Sequence, residues 1–491
     1  MIVKKGRVAA SLVAIGALVF SGSALATNGY FTHGVGAASK GMAGTGVGSN
    51  ADMGAIMTAS NPALGVFVDD NWEAGLSIFS PRRSYTAGPS ELNGGVLDLG
   101  GCSPTSPQFC LPSHTISEGK IDSGSEWFPI PYVAKNWSLQ NGGNITGAFY
   151  GRGGMNTDWD DSAASAVGYF CGGDPFAGDP PGTGQGPYCD GEAGVDLMQA
   201  FLSVTYSAQV NDNFAWGIGP VIALQSFEAK GVQTFEQVTK TCVSTFLPDG
   251  SCTEPTALSG NGHDTTFGFG FTGGVWWGIS DAVSVGLSYT SKMSMDEFDD
   301  YADLYAEAGG FDIPASIKAG VSFLASDTLR INFDIENTAF DDVDSVGNGM
   351  INLFSCPRVP GGTDLESCLG GGNGAGFGWD DMTTYKIGFE WQGDEANTWR
   401  FGFSYGEQPI QDEDVLFNIL APGVMEKHVT FGLTHQTAGG SAWDFSLMYA
   451  PEKSITGPSL FDPGDITSPS PSPQMIELEM SQLEFEVAYS F

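Results

Sequence analysis

Three patterns in this 491-residue chain have residue types and spacing suited to chemistry. Gly402-Phe403-Ser404-Tyr405-Gly406 has the spacing of a nucleophile elbow, where a serine on a sharp strand-to-helix turn attacks an acyl group. Gly34-Val35-Gly36 with Gly41 has the glycine content of a phosphate-cradling loop. Eight cysteines could form disulfides or bind metal. The first two patterns fail on their surroundings. Phe403 and Tyr405 continue an alternating apolar phase and Pro409 follows, so Ser404 reads as a strand residue. No strand precedes Gly34, and the spacing is wrong for a Walker motif. Five histidines occur without H-E-x-x-H. No catalytic residue, metal site or cofactor is assigned, and the chain does not read as an enzyme. A lipase built on Ser404 is the weakest alternative.

Each cysteine can pair with a close neighbour, and the expected pairs are Cys102 with Cys110, Cys171 with Cys189, Cys242 with Cys252, and Cys356 with Cys368. Each pair sits in a long polar connection. An even count in a secreted chain suggests disulfides, each stabilising by roughly 2–3 kcal/mol in the loop-entropy estimate. There is no C-x-x-C, and only His114 lies near a pair, which argues against zinc.

Secretion is read from residues 1–26. Lys4, Lys5 and Arg7 precede the apolar run Val8 to Phe20, and Ala24-Leu25-Ala26 has the small residues of a cleavage site. The run is short for a membrane helix. Removing its three cations takes the net charge from −38 to −41. Such a chain repels nucleic acid. Acidic loops keep a surface solvated, and could hold divalent cations beside lipopolysaccharide.

The elements that carry these loops are strands. Phe267, Phe269, Phe271, Val275, Trp277 and Ile279 share one phase; Gly268, Gly270, Thr272, Gly274 and Gly278 share the other, and Trp276 breaks it. The period is two, not 3.6. Charges sharpen the phase. Lys318, Arg330, Asp334, Glu336, Lys386, Glu390, Arg400, Asp444, Glu484 and Glu486 all oppose their strands' aromatics. A lipid-facing charge costs about 2–4 kcal/mol at the midplane, so these side chains belong to a lumen. On this reading aromatics face lipid, while small residues, including many of the 70 glycines, face a crowded interior.

The alternation predicts fourteen strands, at 71–86, 126–139, 144–159, 194–210, 213–229, 263–280, 283–296, 312–326, 328–342, 378–393, 398–409, 424–437, 441–456 and 475–491. Short turns follow the even strands and long loops follow most odd ones. This describes a 14-stranded antiparallel up-and-down barrel in a bacterial outer membrane, its cysteines outside, among lipid and lipopolysaccharide. The end, Leu483, Phe485, Val487, Tyr489, Phe491, resembles the signal read by barrel-assembly machinery. Ile476, Leu478 and Met480 lie in the opposite phase, which predicts a β-bulge near Ser481 or an exit from the membrane there. Residues 27–70 lack a strand pattern and are too few for their own core. They read as a hatch folded into the lumen of the barrel formed by 71–491, with Lys40 near Glu484 or Glu486.

The motifs Thr27-Asn28-Gly29-Tyr30, His33-Gly34, Ser39-Lys40-Gly41-Met42-Ala43-Gly44 and Ser60-Asn61-Pro62-Ala63 resemble the FadL/TodX family, outer-membrane transporters of long-chain fatty acids and other hydrophobic compounds. Gly151-Arg152-Gly153-Gly154-Met155-Asn156-Thr157 is a second match. The resemblance implies a hatch carrying Ser39, Lys40, Gly41, Asn61, Pro62 and Ala63. It also implies a kinked third strand whose Gly151, Gly153 and Gly154 open a lateral exit for a hydrophobic ligand. Asn61-Pro62 reads as a turn ending the hatch. The chain departs from the family in its eight cysteines and in the acidic run Glu297, Asp299, Asp300, Asp303 and Glu307, which would repel a carboxylate. The family's carboxylate site is therefore not carried over, and a neutral hydrocarbon stays open as substrate. A general pore or a structural surface protein is the alternative.

Overall fold

The computed structural model describes residues 28–98, 110–160, 164–173, 179–245, 252–359, 361–465 and 470–491. The leader and the Cys102–Cys110 pairing lie outside them. Fourteen strands form the wall: β1 Trp72–Ala87, β2 Phe128–Ser138, β3 Gly143–Asn156, β4 Gly194–Asn211, β5 Phe214–Lys230, β6 Asp264–Ser280 and β7 Val283–Thr290, then β8 Ser316–Ser326, β9 Leu329–Thr338, β10 Met382–Gln392, β11 Asn397–Gly406, β12 Lys427–Gln436, β13 Ala442–Pro458 and β14 Met475–Ser490. Each pairs antiparallel with the next, and β14 pairs with β1, so the sheet closes without an edge. Trp72 and Phe491 bond to each other through both backbone groups at 2.8 Å, placing the two ends of the wall on one rim. No described helix is long and apolar enough to cross a membrane; the strands do so.

Alternation sets the two faces. Phe267, Phe269, Phe271, Trp277 and Ile279 are exposed on the outside of β6, as are Phe323, Phe333, Phe403 and Phe485 on other strands. Asp334, Glu336, Lys386, Arg400, Asp444, Glu484 and Glu486 are buried on the inside. Trp276, which broke the phase of β6, also points inward. Its Nε1 donates to the Gly48 carbonyl (3.1 Å), and its ring meets Phe67 edge-on at 4.6 Å.

Residues 28–68 are almost wholly buried. They form a short helix, Ala37–Lys40, and 3-10 turns at Ala55–Ala59 and Pro62–Phe67. Inward glycines on seven strands make room for them. A Cβ at Gly217, Gly274, Gly286, Gly388 or Gly402 would overlap Pro62, Asn61, Val47, Thr45 or Met42, and Gly320 and Gly432 approach Gly48 and Gly41. Gly402, the first glycine of the elbow-like motif, is thus accounted for by contact with Met42 and Ala43.

The structure corrects three expectations. β7 ends at Thr290, not 296; the chain leaves the ladder, and Ser294 and Met295 return to pair with Phe269 and Gly268. Other strand ends shift by four residues or fewer. β14 has no bulge at Ser481: its register with β1 is unbroken, and the irregularity lies on β13 between Ala450 and Lys453. Ile476, Leu478 and Met480 therefore face the lumen with Glu484 and Glu486. The third correction follows from the second. The lumen is not lined by small and polar residues throughout. Toward the long loops it carries Phe79, Tyr85, Phe128, Phe201 and Phe227, all buried.

Candidate functional site

The third strand has two unlike edges. Along β4 it pairs from Gly143–Ala208 to Asn156–Asp196. One irregularity interrupts this: Gly151 faces Ala200 and Gly153 faces Gln199, so Arg152 is an extra, bulged residue. Along β2 the pairing starts at Asn144–Ser138 and stops at Tyr150–Tyr132. β2 itself runs on to Phe128, still paired with Phe79 of β1. The strand reads Phe128-Pro129-Ile130-Pro131, and neither proline has an N–H to donate to a ladder. Past the gap, Gly124 N–H donates to the Asp158 carbonyl (2.8 Å) and Asp158 N–H to Ser123 Oγ (3.0 Å). The result is a framed window, with β2 and β3 as its sides, Tyr132–Tyr150 below and Gly124–Asp158 above.

The start of the described chain occupies the β3 side of this frame. Thr32 N–H donates to the Arg152 carbonyl (2.8 Å), and Gly154 N–H donates to the Tyr30 carbonyl (3.0 Å). Phe31 lies opposite Gly153. Residues 30–32 thus take the ladder position that β2 vacates, by strand addition. Gly153 is needed for this, because a Cβ there would overlap Gln199 and press on the Phe31 ring.

Aromatic contacts lead from the window to the loops. Tyr30 stands 4.6 Å from Phe31 and 6.1 Å from Phe311, and Phe311 is 4.8 Å from Tyr305, measured between ring centroids. Tyr305 lines an apolar cavity of about 40 Å³ beneath the loops, with Tyr188, Phe235, Leu258, Phe377 and Phe417. Phe340 and Trp379 pack against Tyr30 from the other side.

Charge gathers beside the same aromatics. Arg152 extends inward, its guanidinium 4.5 Å from the Phe31 centroid and 3.2 Å from Glu336. Lys318 lies 3.2 Å and Lys386 2.8 Å from the same carboxylate. Lys386 also donates to the His33 carbonyl at 2.8 Å. Three cations thus share one carboxylate. A second inward carboxylate, Asp334, accepts from the backbone N–H groups of Gly46 (2.8 Å) and Val47 (3.0 Å) and offsets part of this charge. Three cations against the two carboxylates of Glu336 and Asp334 leave an excess of one positive charge in a low-dielectric interior, where an anionic group is attracted. The acidic run at Glu297 to Glu307 does not decide this, because its residues belong to a loop. Asp303, for one, accepts from Ala257 N–H.

The other motif residues lie deeper. Lys40 bridges Glu484 (2.5 Å) and Glu486 (2.6 Å), joining the buried segment to the closing strand. Burial pushes His33 down to about 4 against the pull of Glu484, so its ring is neutral at neutral pH. Ser39 Oγ donates to the Thr45 carbonyl (2.9 Å). Asn61 Oδ1 accepts from Ala63 N–H (3.0 Å) and so caps the turn that starts at Pro62. Its Nδ2 reaches the Val47 carbonyl (2.9 Å) and the Val275 carbonyl (3.2 Å). Asn61-Pro62 thus opens a 3-10 turn leading to β1. Ser404 Oγ is 3.0 Å from His428 Nδ1, a nucleophile–base distance. Both are buried, and β11 runs straight through Ser404, so the strand-to-helix turn of an elbow is missing.

Cys171–Cys189, Cys242–Cys252 and Cys356–Cys368 are bonded, all in loops that follow odd strands. His114 approaches the first pair, but those sulfurs are joined to each other and its Nε2 is engaged by the Pro187 carbonyl (2.7 Å). Sequence reasoning singled out Lys318, Lys386 and Glu336 as inward charges, without assembling them with Arg152. It passed over Phe31, Pro129 and Pro131; the two prolines inside a strand were the readable signal.

The fold is that of known outer-membrane channels. The toluene transporter TodX of P. putida aligns with a TM-score of 0.58 at 14% identity, over 93% of this chain and 98% of that one. The toluene transporter TbuX of Ralstonia pickettii aligns at 0.54 and 15%, over 93% and 98%. A FadL homologue of Pseudomonas aeruginosa aligns at 0.57 and 14%, over 94% and 99%. At such identities the likeness shows the fold alone. No curated protein matches the sequence. The model of the family described as outer membrane protein transport protein (OMPP1/FadL/TodX) matches residues 185–457, more than half of the chain and apart from the N-terminal and β3 motifs. The chain therefore belongs to the OMPP1/FadL/TodX family of outer-membrane transport proteins.

Proposed function

We propose that this barrel imports hydrophobic compounds and releases them sideways, through the window between β2 and β3, into the bilayer. The observation that carries this is the ladder that stops at Tyr132–Tyr150 while both outer neighbours stay paired. A greasy ligand gains about 0.8 kcal/mol per methylene by entering lipid, and nothing by entering the periplasm. Below the window the lumen is filled by residues 28–68, which act as a hatch. The aromatic contacts from Tyr305 to Phe31 offer an apolar path from the loops to the window. Toluene, carried by the two named relatives, would fit the aromatic cluster around Tyr30. The cations around Glu336 favour an amphipath with an anionic head, such as a long-chain fatty acid. Uptake of a labelled fatty acid and an alkane of equal length, in a strain lacking its own transporter, tests the reading. Uptake of either supports it. Uptake of neither, together with ion conductance of the purified barrel in a planar bilayer, would make it a general pore.

A further inference from the structure

Arg83 is a buried cation with no anion. It faces the lumen from β1, across the ladder from Met480. Six Lys or Arg side chains are buried among the described residues: Lys40, Arg83, Lys135, Arg152, Lys386 and Arg400. Five of them meet a carboxylate within 4 Å. Arg83 meets none among the described residues. Its Nη1 donates to the Ser125 carbonyl (3.2 Å), its guanidinium lies 5.7 Å from the Phe128 centroid, and its Nη2 is buried without an acceptor. An unpaired charge out of water is strongly unfavourable, so such a group is retained where something else neutralises it.

Its position says what that something is. Ser125 follows Gly124, whose N–H closes the top of the window, and Phe128 begins the β2 side. The orphan guanidinium therefore stands at an upper corner of the frame, on the lumen side.

We infer that Arg83 is an oxyanion-binding site at the rim of the window, holding the head group of an amphipath whose chain lies in the gap. This rests on the lateral route proposed above. A guanidinium presents a planar fork that matches a carboxylate or phosphate with two parallel hydrogen bonds. The head group has two sources, the carboxylate of a passing ligand or the phosphate of an outer-leaflet lipid. Arg152 cannot serve both ends of the path, because it is committed to Glu336 and Phe31. Arg83 supplies a second station after it.

The test uses the full-length barrel purified in detergent, with Arg83→Met and, as a hydrogen-bonding variant that keeps the site polar, Arg83→Gln. Folding is checked by heat-resistant migration on gels. Binding of oleate and methyl oleate is titrated by tryptophan fluorescence, and phosphorus in co-purified lipid is measured. If the ligand supplies the head group, oleate affinity falls at least about tenfold while methyl oleate stays within about twofold. If a lipid supplies it, lipid phosphorus falls and oleate affinity holds. An unchanged oleate-to-ester ratio with unchanged lipid phosphorus, in either folded variant, overturns the site. Uptake by cells carrying the wild type is scored separately. Its failure with both ligands defeats the transport reading without touching the binding result.

Discussion

The two edges of β3 share one backbone and differ in almost everything else. Toward β4 the ladder absorbs a bulge at Arg152 and continues to Asn156. Toward β2 it ends at Tyr150, and residues 30–32 stand in with two backbone hydrogen bonds. The comparison teaches that a closed barrel can carry a local break in its ladder, provided the strands on either side stay registered. Closure is a property of the whole ladder. Here one strand lacks donors at Pro129 and Pro131, and its neighbour carries the bulge at Arg152.

Filling the open edge should have the largest effect. Gly153→Val with Gly154→Val adds two side chains to this edge, the one at Gly153 where Gln199 and Phe31 already press. Fatty-acid uptake should fall at least about tenfold, since a side chain in the path removes it, while heat-resistant migration persists because closure rests on the whole ladder and the overlapped part of Gln199 is the end of a flexible side chain. Gly273→Val is the matched control. It has only the Gly217 carbonyl within 4 Å, at 3.9 Å. Gly268 and Gly270 are unsuited to that role, because Met295, Ser291 and Met293 pack on them. Normal uptake in the double variant would send transport elsewhere.

The opposite side of the window gives a subtler change. Pro129→Val with Pro131→Val returns two N–H donors to β2, letting it compete for the edge that residues 30–32 now hold. Uptake should drop severalfold and resistance to heat should stay equal or rise, since a ladder bond contributes about 1 kcal/mol. If uptake is unaffected, missing donors are not what keeps the seam open.

Much of this architecture was legible in the chain. All fourteen strands follow from period-two alternation, because lipid outside and a filled lumen inside punish any phase error. What was not legible depends on partners far away in sequence. Trp276 and the apolar upper half of β14 looked like faults in the pattern. Trp276 in fact grips Gly48, and Ile476, Leu478 and Met480 line an apolar part of the lumen. The glycines at 151, 153 and 154 pointed to β3, but how far β2 pairs with it is a matter of register, which no single segment encodes. Arg83 carries no local signal at all, since its meaning lies in the absence of a carboxylate that any fold could have supplied.

A third change probes the buried segment 28–68 against the wall. Lys40→Met leaves Glu484 and Glu486 buried side by side without a cation. Breaking a buried pair in this way typically costs about 3–5 kcal/mol. The buried segment should loosen and small solutes should leak faster into liposomes, with the window and fatty-acid uptake changed less than twofold. Equal leakage would mean that the inward glycines and Asn61 hold the segment without the ion pair.

The smallest change should come from the loops. Cys356 and Cys368 close a 12-residue ring, and cutting it costs about 3 kcal/mol by loop entropy. That cost is local, because the ring lies in the β9–β10 loop and not in the ladder. The loop is also held independently: Leu369 N–H donates to the Val238 carbonyl (3.0 Å) and Lys240 N–H to the Leu369 carbonyl (2.8 Å). These bonds tie it to the neighbouring loop, whose own disulfide joins Cys242 to Cys252. Cys356→Ser with Cys368→Ser should therefore speed proteolysis within 350–380 while uptake stays within about twofold and the barrel migrates as before. The apolar cavity beneath the loops, lined by Leu369 and Phe377, is the part at risk. If uptake collapses with the barrel intact, the ring is part of the capture site, and the route begins higher in the loops than the aromatic path from Tyr305 implies.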